Sequence, residues 1–138
     1  MKDEKLFIQK NTPLVSVIIL NFNGENYLER CLFSVLDTKY KNFEVIFVDN
    51  ASTDSSLKIV EKTFGNDKRL RIFHNTKNLG FSAGNNFGLR QSRGDYIVFL
   101  NNDTIADPYW LDCRLKRKQI LQDRIPKKPS PQNIKESI

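Results

Sequence analysis

Four short apolar runs, rich in β-branched residues and each closed by a polar break, recur along the first hundred residues of the chain. The first, Leu14-Val15-Ser16-Val17-Ile18-Ile19-Leu20, is apolar almost throughout. Such a run predicts a strand buried on both faces, as in the interior of a parallel sheet. Asn21-Phe22-Asn23-Gly24 breaks it. Leu28, Cys31, Leu32, Val35 and Leu36 then follow at the spacing of an amphipathic helix. The unit repeats. Phe43 to Val48 predicts a second strand ended by Asp49-Asn50; Ser52, Thr53 and Asp54 offer helix caps; Leu57, Val60 and Phe64 mark a helical face closed by Gly65. Leu70 to Phe73 predicts a third strand. A Gly- and Asn-rich segment from Asn75 leads into a helix over Ser82 to Gln91, stopped by Gly94. Tyr96 to Leu100 predicts a fourth strand, and Asp107-Pro108 supplies a cap and a first-turn proline for one more helix.

Alternation of strand and helix points to a parallel sheet with covering helices, because parallel strands need crossover connections. At 138 residues with 39% hydrophobic content, the chain suits one compact domain. The pattern weakens after Trp110, where only Leu111, Leu115 and Leu121 suggest a helical stripe. Pro126-Lys127-Lys128-Pro129-Ser130-Pro131 opposes regular structure. The expected organisation is an extension over 1–12, the α/β domain over 13–111, and a basic, frayed tail over 112–138. The formal charge of +6 belongs mostly to that tail: residues 111–138 hold eight Lys/Arg against three Asp/Glu, whereas residues 1–110 hold fourteen against thirteen. A solvated end is favoured over an anion-binding arm, and no specific nucleic-acid partner is expected. No apolar run is long enough to span a bilayer, and Met1 to Lys10 lacks the pattern of a secretory signal. The expected location is cytoplasmic, with the inner membrane face as a peripheral alternative. Cys31 and Cys113 make no zinc or disulfide pattern, and Cys31 is expected in the core.

Ligands of open parallel sheets bind outside the carboxyl ends of the strands. Asn21 and Asn23 follow the first predicted strand, Asp49 and Asn50 the second, His74, Asn75 and Asn78 the third, and Asn101, Asn102 and Asp103 the fourth. Parallel strands bring all four clusters to one edge. Amides and carboxylates suit recognition of base and ribose edges. Neither a glycine-rich dinucleotide fingerprint nor a P-loop is present. Gly80-Phe81-Ser82-Ala83-Gly84 matches the nucleophile-elbow spacing, but no strand runs directly into Ser82, and the only histidine, His74, precedes it. A serine hydrolase is therefore disfavoured.

Together these residues resemble family 2 glycosyltransferases of the GT-A fold. Pro13 to Asn23 is similar to that family's first strand and nucleotide loop. Val48-Asp49-Asn50-Ala51-Ser52-Thr53-Asp54 is similar to its second motif, whose aspartate (here Asp49) contacts the nucleotide base. Asn78 to Gly88 is similar to its Gly/Asn helix-start segment, and Gly94 to Asp103 to the strand entering its D-x-D-type motif. The resemblance covers residues 13–111. The Asn101-Asn102-Asp103 version is most similar to rhamnosyltransferase-like members.

The fold so implied is a Rossmann-like, mainly parallel sheet flanked by helices, lacking the acceptor-binding half. The implied activity is inverting transfer of a sugar from a UDP- or dTDP-linked donor to a glycan or lipid-linked acceptor, in polysaccharide or cell-envelope synthesis. Donor contacts would come from Asn21, Asn23, Asp49, Asn50, Asn78, Gly80, Gly84, Asn86, Asn101 and Asn102. Asp103 would hold Mn2+ or Mg2+. Asn101 stands where the family often has a first carboxylate, and no residue matches the catalytic base. Two alternatives remain open: a catalytically incomplete nucleotide-binding module, and a basic-tail interaction protein. An uncovered apolar sheet edge also leads us to expect self-association or a second chain.

Overall fold

The computed structural model describes residues 12–124 and 136–137. Its strands are β1 (Val15–Asn21), β2 (Phe43–Asp49), β3 (Leu70–His74), β4 (Tyr96–Asn101) and β5 (Glu136–Ser137). Its helices are α1 (Leu28–Leu36), α2 (Ser56–Phe64), α3 (Gly80–Gln91) and α4 (Trp110–Arg124). All strand pairings are parallel, in the order β3-β2-β1-β4-β5. Each of the four expected strands is present, and each ends on the polar residue after its apolar run: Asn21, Asp49, His74 and Asn101.

The pleat sorts side chains between two cores. Val15, Val17 and Ile19 of β1 join Val45 and Phe47 of β2 in one cluster with α1, α2 and Leu111 of α4. Ile18, Ile46, Val48 and Ile97 form a second cluster, covered by Phe87 and Leu89 of α3. One sheet face thus carries three helices and the other carries α3. The stripe predicted for α1 is buried as expected, at Leu28, Cys31, Leu32 and Val35.

Close approach of α3 depends on missing side chains. A Cβ on Gly88 would lie 2.6 Å from Ile18 Cγ2, and one on Gly84 would lie 2.6 Å from Leu20 Cδ1. Gly94, expected to stop α3, lies beyond its Ser92 cap. It is pressed instead against β1, with its N–H donating to Ser16 Oγ at 2.8 Å. That contact belongs to a buried polar group at the amino rim of the sheet. Glu44 Oε1 accepts from Ser16 Oγ and from the Arg93 N–H, both at 2.7 Å, and Glu44 Oε2 meets Arg71 Nη1 at 3.3 Å.

Residues 112–124, expected to fray, are helical. The start of α4 was expected, but weak amphipathicity hid how far it runs, because its first turn is docked by specific bonds rather than by an apolar stripe. Trp110 Nε1 donates to Thr38 Oγ1 at 2.9 Å, Lys39 N–H donates to Pro108 O at 2.8 Å, and Leu111 is fully buried. Tyr109 N–H donates to the Asp107 carboxylate at 2.8 Å, so Asp107 caps the start as expected. The proline-rich segment 126–131 lies outside the described residues. Strand β5, which pairs with Tyr96 and Ile97, was not anticipated. Among the described residues no helix is long and apolar enough to cross a membrane.

Candidate functional site

Sheet order fixes where a crevice must open. From β1 the chain steps to β2 and β3 on one side, then crosses back through α3 to β4 on the other. The connections diverge at the carboxyl ends of β1 and β4, the switch point at which open α/β sheets bind ligands. A cleft of about 380 Å³ lies there. It is lined by Leu20 and Phe22 from β1 and its loop, by Asn50 after β2, by Asn78, Gly80, Phe81 and Asn85 around the start of α3, and by Phe99, Leu100, Asn101, Asn102 and Asp103 from β4 and its loop.

Six expected site residues therefore meet in the cleft: Asn50, Asn78, Gly80, Asn101, Asn102 and Asp103. Five do not line it: Asn21, Asn23, Asp49, Gly84 and Asn86. For most of these five the reason is visible. Asp49 is fully buried. Its Oδ1 accepts from Ser52 Oγ at 2.7 Å and Asn21 Nδ2 at 3.1 Å, and its Oδ2 accepts from the Ser52 N–H at 3.0 Å. The carboxylate expected to read a base is committed to its own loop. Asn23, at φ 52°, holds the neighbouring loop, accepting at Oδ1 from the N–H groups of Thr53 and Asp54 at 2.8 and 3.2 Å. Gly84 is occupied by packing against Leu20 and Asn50. Asn86 is exposed on α3, away from the cleft lining.

Asn50 lines the cleft but spends its amide on architecture. Its Nδ2 donates to Asn78 Oδ1 at 2.9 Å and Gly80 O at 3.1 Å. Its Oδ1 accepts from Leu79 N–H at 3.0 Å and Asn75 Nδ2 at 3.2 Å. This one side chain ties β2 to the start of α3, where Gly80 takes the left-handed φ of 82° that glycine adopts at little cost. Asp54 similarly joins two loops: burial opposes its ionisation, but hydrogen bonds from Ser56 and from the Glu25 N–H outweigh that and hold the carboxyl below its ordinary range.

Sequence reasoning missed the apolar side of the cleft. Phe22, Phe81 and Phe99 are 48%, 71% and 44% exposed and surround the amide-rich floor. Exposed aromatics carry no periodic signal, so only the crossovers reveal that three of them converge. Also missed was Cys31, which supports the β4 loop from beneath: its thiol donates to Asn101 O at 3.6 Å. Burial pushes that thiol up to about 11. His74 is exposed at the end of β3 and does not line the cleft.

Among the described residues no group of three or more His, Cys, Asp or Glu could hold a metal alone. Asp103 is exposed and, among the described residues, is the only carboxylate lining the cleft. This donor set fits a hard ion that takes one protein carboxylate and completes its shell with phosphate oxygens and water.

Parallel strands with an amide-lined crevice at their switch point, where open sheets of this kind take ligands, define an α/β protein of the doubly wound kind. A profile for Glycosyl transferase family 2 matches residues 16–117, and the chain belongs to that family. An uncharacterized glycosyltransferase of Haemophilus influenzae is 41% identical over 93 residues, covering 67% of this chain and 37% of that relative. Mannosyltransferase PcManGT from Pyrobaculum calidifontis, solved with GDP-Man and Mn2+, superposes with a TM-score of 0.73 at 22% identity, covering 83% of this chain and 37% of its own. Staphylococcus aureus TarS 1–349, solved with UDP-GlcNAc, gives 0.67 at 27% identity, covering 86% and 37%. The GT-A, Rossmann-like fold expected from the sequence is the fold observed. The chain spans little more than a third of these relatives.

Proposed function

We propose that this chain forms the donor-nucleotide half of an inverting glycosyltransferase, binding a UDP- or dTDP-linked sugar in the switch-point cleft. What carries the reading is the position of Asp103, the one carboxylate among the described residues of the cleft, beside three aromatic side chains and an amide-rich floor. A planar base suits the aromatic surfaces, while Asn78, Asn85 and Asn101 offer polar contacts to ribose and phosphate. Mn2+ or Mg2+ would rest on Asp103 and the diphosphate and would offset charge on the leaving group. The Mn2+ and nucleotide sugars held by the solved neighbours support this assignment.

With Asp103 committed to the ion, no second carboxylate among the described residues lines the cleft to take the acceptor's proton. The base is therefore assigned to a part outside the described residues, and the acceptor, a glycan or lipid-linked hydroxyl, to that part as well. The same observation favours a second reading, a nucleotide-binding module that does not turn over alone. A role in polysaccharide or cell-envelope synthesis at the cytoplasmic membrane face, and a rhamnosyltransferase-like grouping, rest on the resemblance of the Asn101-Asn102-Asp103 motif.

Calorimetric titration of UDP and dTDP with and without Mn2+ tests the reading. Binding should tighten with Mn2+, and Asp103→Ala should remove the Mn2+-dependent gain while keeping metal-free binding. Equal affinity with and without Mn2+, or an unchanged gain in Asp103→Ala, refutes the site.

A further inference from the structure

We propose that Asn102 is a positioning residue whose amide is required as a hydrogen-bond donor, and that a carboxylate at this position would weaken metal-assisted nucleotide binding instead of strengthening it. This inference rests on the reading of the cleft as a nucleotide–metal site and deepens it.

Asn102 sits beside Asp103, and an added carboxylate would ordinarily be expected to improve a cation site. The hydrogen-bond polarity of the buried chain beneath it points the other way. Asp49 is fully buried, and both its oxygens accept hydrogen bonds. An ionised carboxylate only accepts, so the group that Asn21 turns toward Asp49 must be its NH2. Asn21 Nδ2 indeed donates to Asp49 Oδ1 at 3.1 Å and to Ser52 Oγ at 3.3 Å. This fixes the other end of the amide. Asn21 Oδ1 faces β4's loop and accepts from Asn102 Nδ2 at 2.8 Å. Asn21 is itself fully buried, so no water readily replaces that donor.

A carboxylate at 102 would set acceptor against acceptor. Turning Asn21 over would relieve that contact only by pointing its oxygen at Asp49. Packing seals the arrangement: a Cβ on Gly24 would lie 2.3 Å from Asn21 Oδ1 and 2.4 Å from Asn102 Nδ2. The bare glycine thus roofs the bond, leaving little space for either amide to swing aside. Through Asn21, the buried charge of Asp49 dictates the chemistry of position 102 and so holds the Asp103 loop against β1.

Thermal unfolding and Mn2+-dependent UDP titration of the full chain test this in four variants: Asn102→Asp, Asn102→Ala, Asp49→Asn, and Asp49→Asn with Asn102→Asp. Asn102→Asp should lower Tm by roughly 5 °C or more and cut the Mn2+-dependent gain in UDP affinity about tenfold, with metal-free UDP affinity changed less. Asn102→Ala, which lacks the donor but adds no opposing acceptor, should lose less Tm than Asn102→Asp. In the double variant Asn21 can reverse, accepting from an amide at 49 and donating to a carboxylate at 102. Its Tm and metal gain should therefore exceed those of Asn102→Asp alone. Additive losses in the double variant, or wild-type Tm and metal gain in Asn102→Asp, would overturn the proposal. If the double variant does not fold, the order of Asp and Ala at 102 decides: Ala as damaging as Asp refutes it. A wild-type chain without Mn2+-dependent UDP binding would instead reject the functional reading, leaving the Tm comparison to judge the polarity of the chain.

Discussion

Most of the Asn and Asp residues that mark the candidate site are occupied in building it. Asp49, Asn21, Asn23 and Asn50 each spend their hydrogen-bonding capacity on their own or a neighbouring loop. That division could not be seen in the sequence, because an exposed amide and a fully bonded one look identical until their partners are placed. The reach of such residues is long: Asn102 and Asn21 are 81 positions apart. A thiol prediction belongs at this scale. Because burial pushes the Cys31 thiol up to about 11, it stays protonated at pH 8 and becomes reactive only as the pH rises through that value. Cys113, by contrast, is exposed. Iodoacetamide at pH 8 should modify one cysteine per native chain and two in denaturant, counted by intact mass. Rapid labelling of Cys31 in the native protein would contradict its burial under Asn101.

Strands and helices were legible wherever burial imposed a period. β1 and β2 are buried over nearly every position, so their apolar runs stand out, and the stripe of α1 is regular. The start of helix α4 was legible at Asp107-Pro108, but its length was obscured because basic residues crowd it and its docking relies on Trp110, Pro108 and Leu111 at one end. Helix α3 begins at Gly80, two residues before the expected Ser82, since the Asn50 bridge organises its first turn. Its glycines also acquire a definite purpose. At Gly88 the gain in helix propensity from a larger residue, at most about 1 kcal/mol and smaller for β-branched valine, competes with overpacking against buried Ile18 and Val48. Gly88→Val should lose, lowering unfolding free energy by about 2 kcal/mol as read from urea midpoints. An unchanged midpoint would mean that α3 can lift from the sheet without penalty.

At the scale of the molecule, three helices among the described residues shield one sheet face and a single helix the other. Phe99 on the thinner side is 44% exposed, near Phe81 at 71%. Beyond Ile97, the outer edge of β4 has no strand neighbour among the described residues. Apolar surface next to an open edge favours association. Sedimentation velocity should show concentration-dependent oligomers, reduced in Phe81→Ser/Phe99→Ser. A monomer throughout the accessible concentration range would show that this face is adequately solvated.

The strand order β3-β2-β1-β4 has a temporal corollary. Three strands are complete by residue 74, yet the cleft needs Phe99 to Asp103 and the returning crossover through α3. Closing so distant a contact carries the larger loop-entropy penalty and is a slow step in folding. During synthesis, the nascent polypeptide would therefore display a partly formed sheet well before the proposed nucleotide cleft could exist, and any ligand capture there would report arrival of the fourth strand.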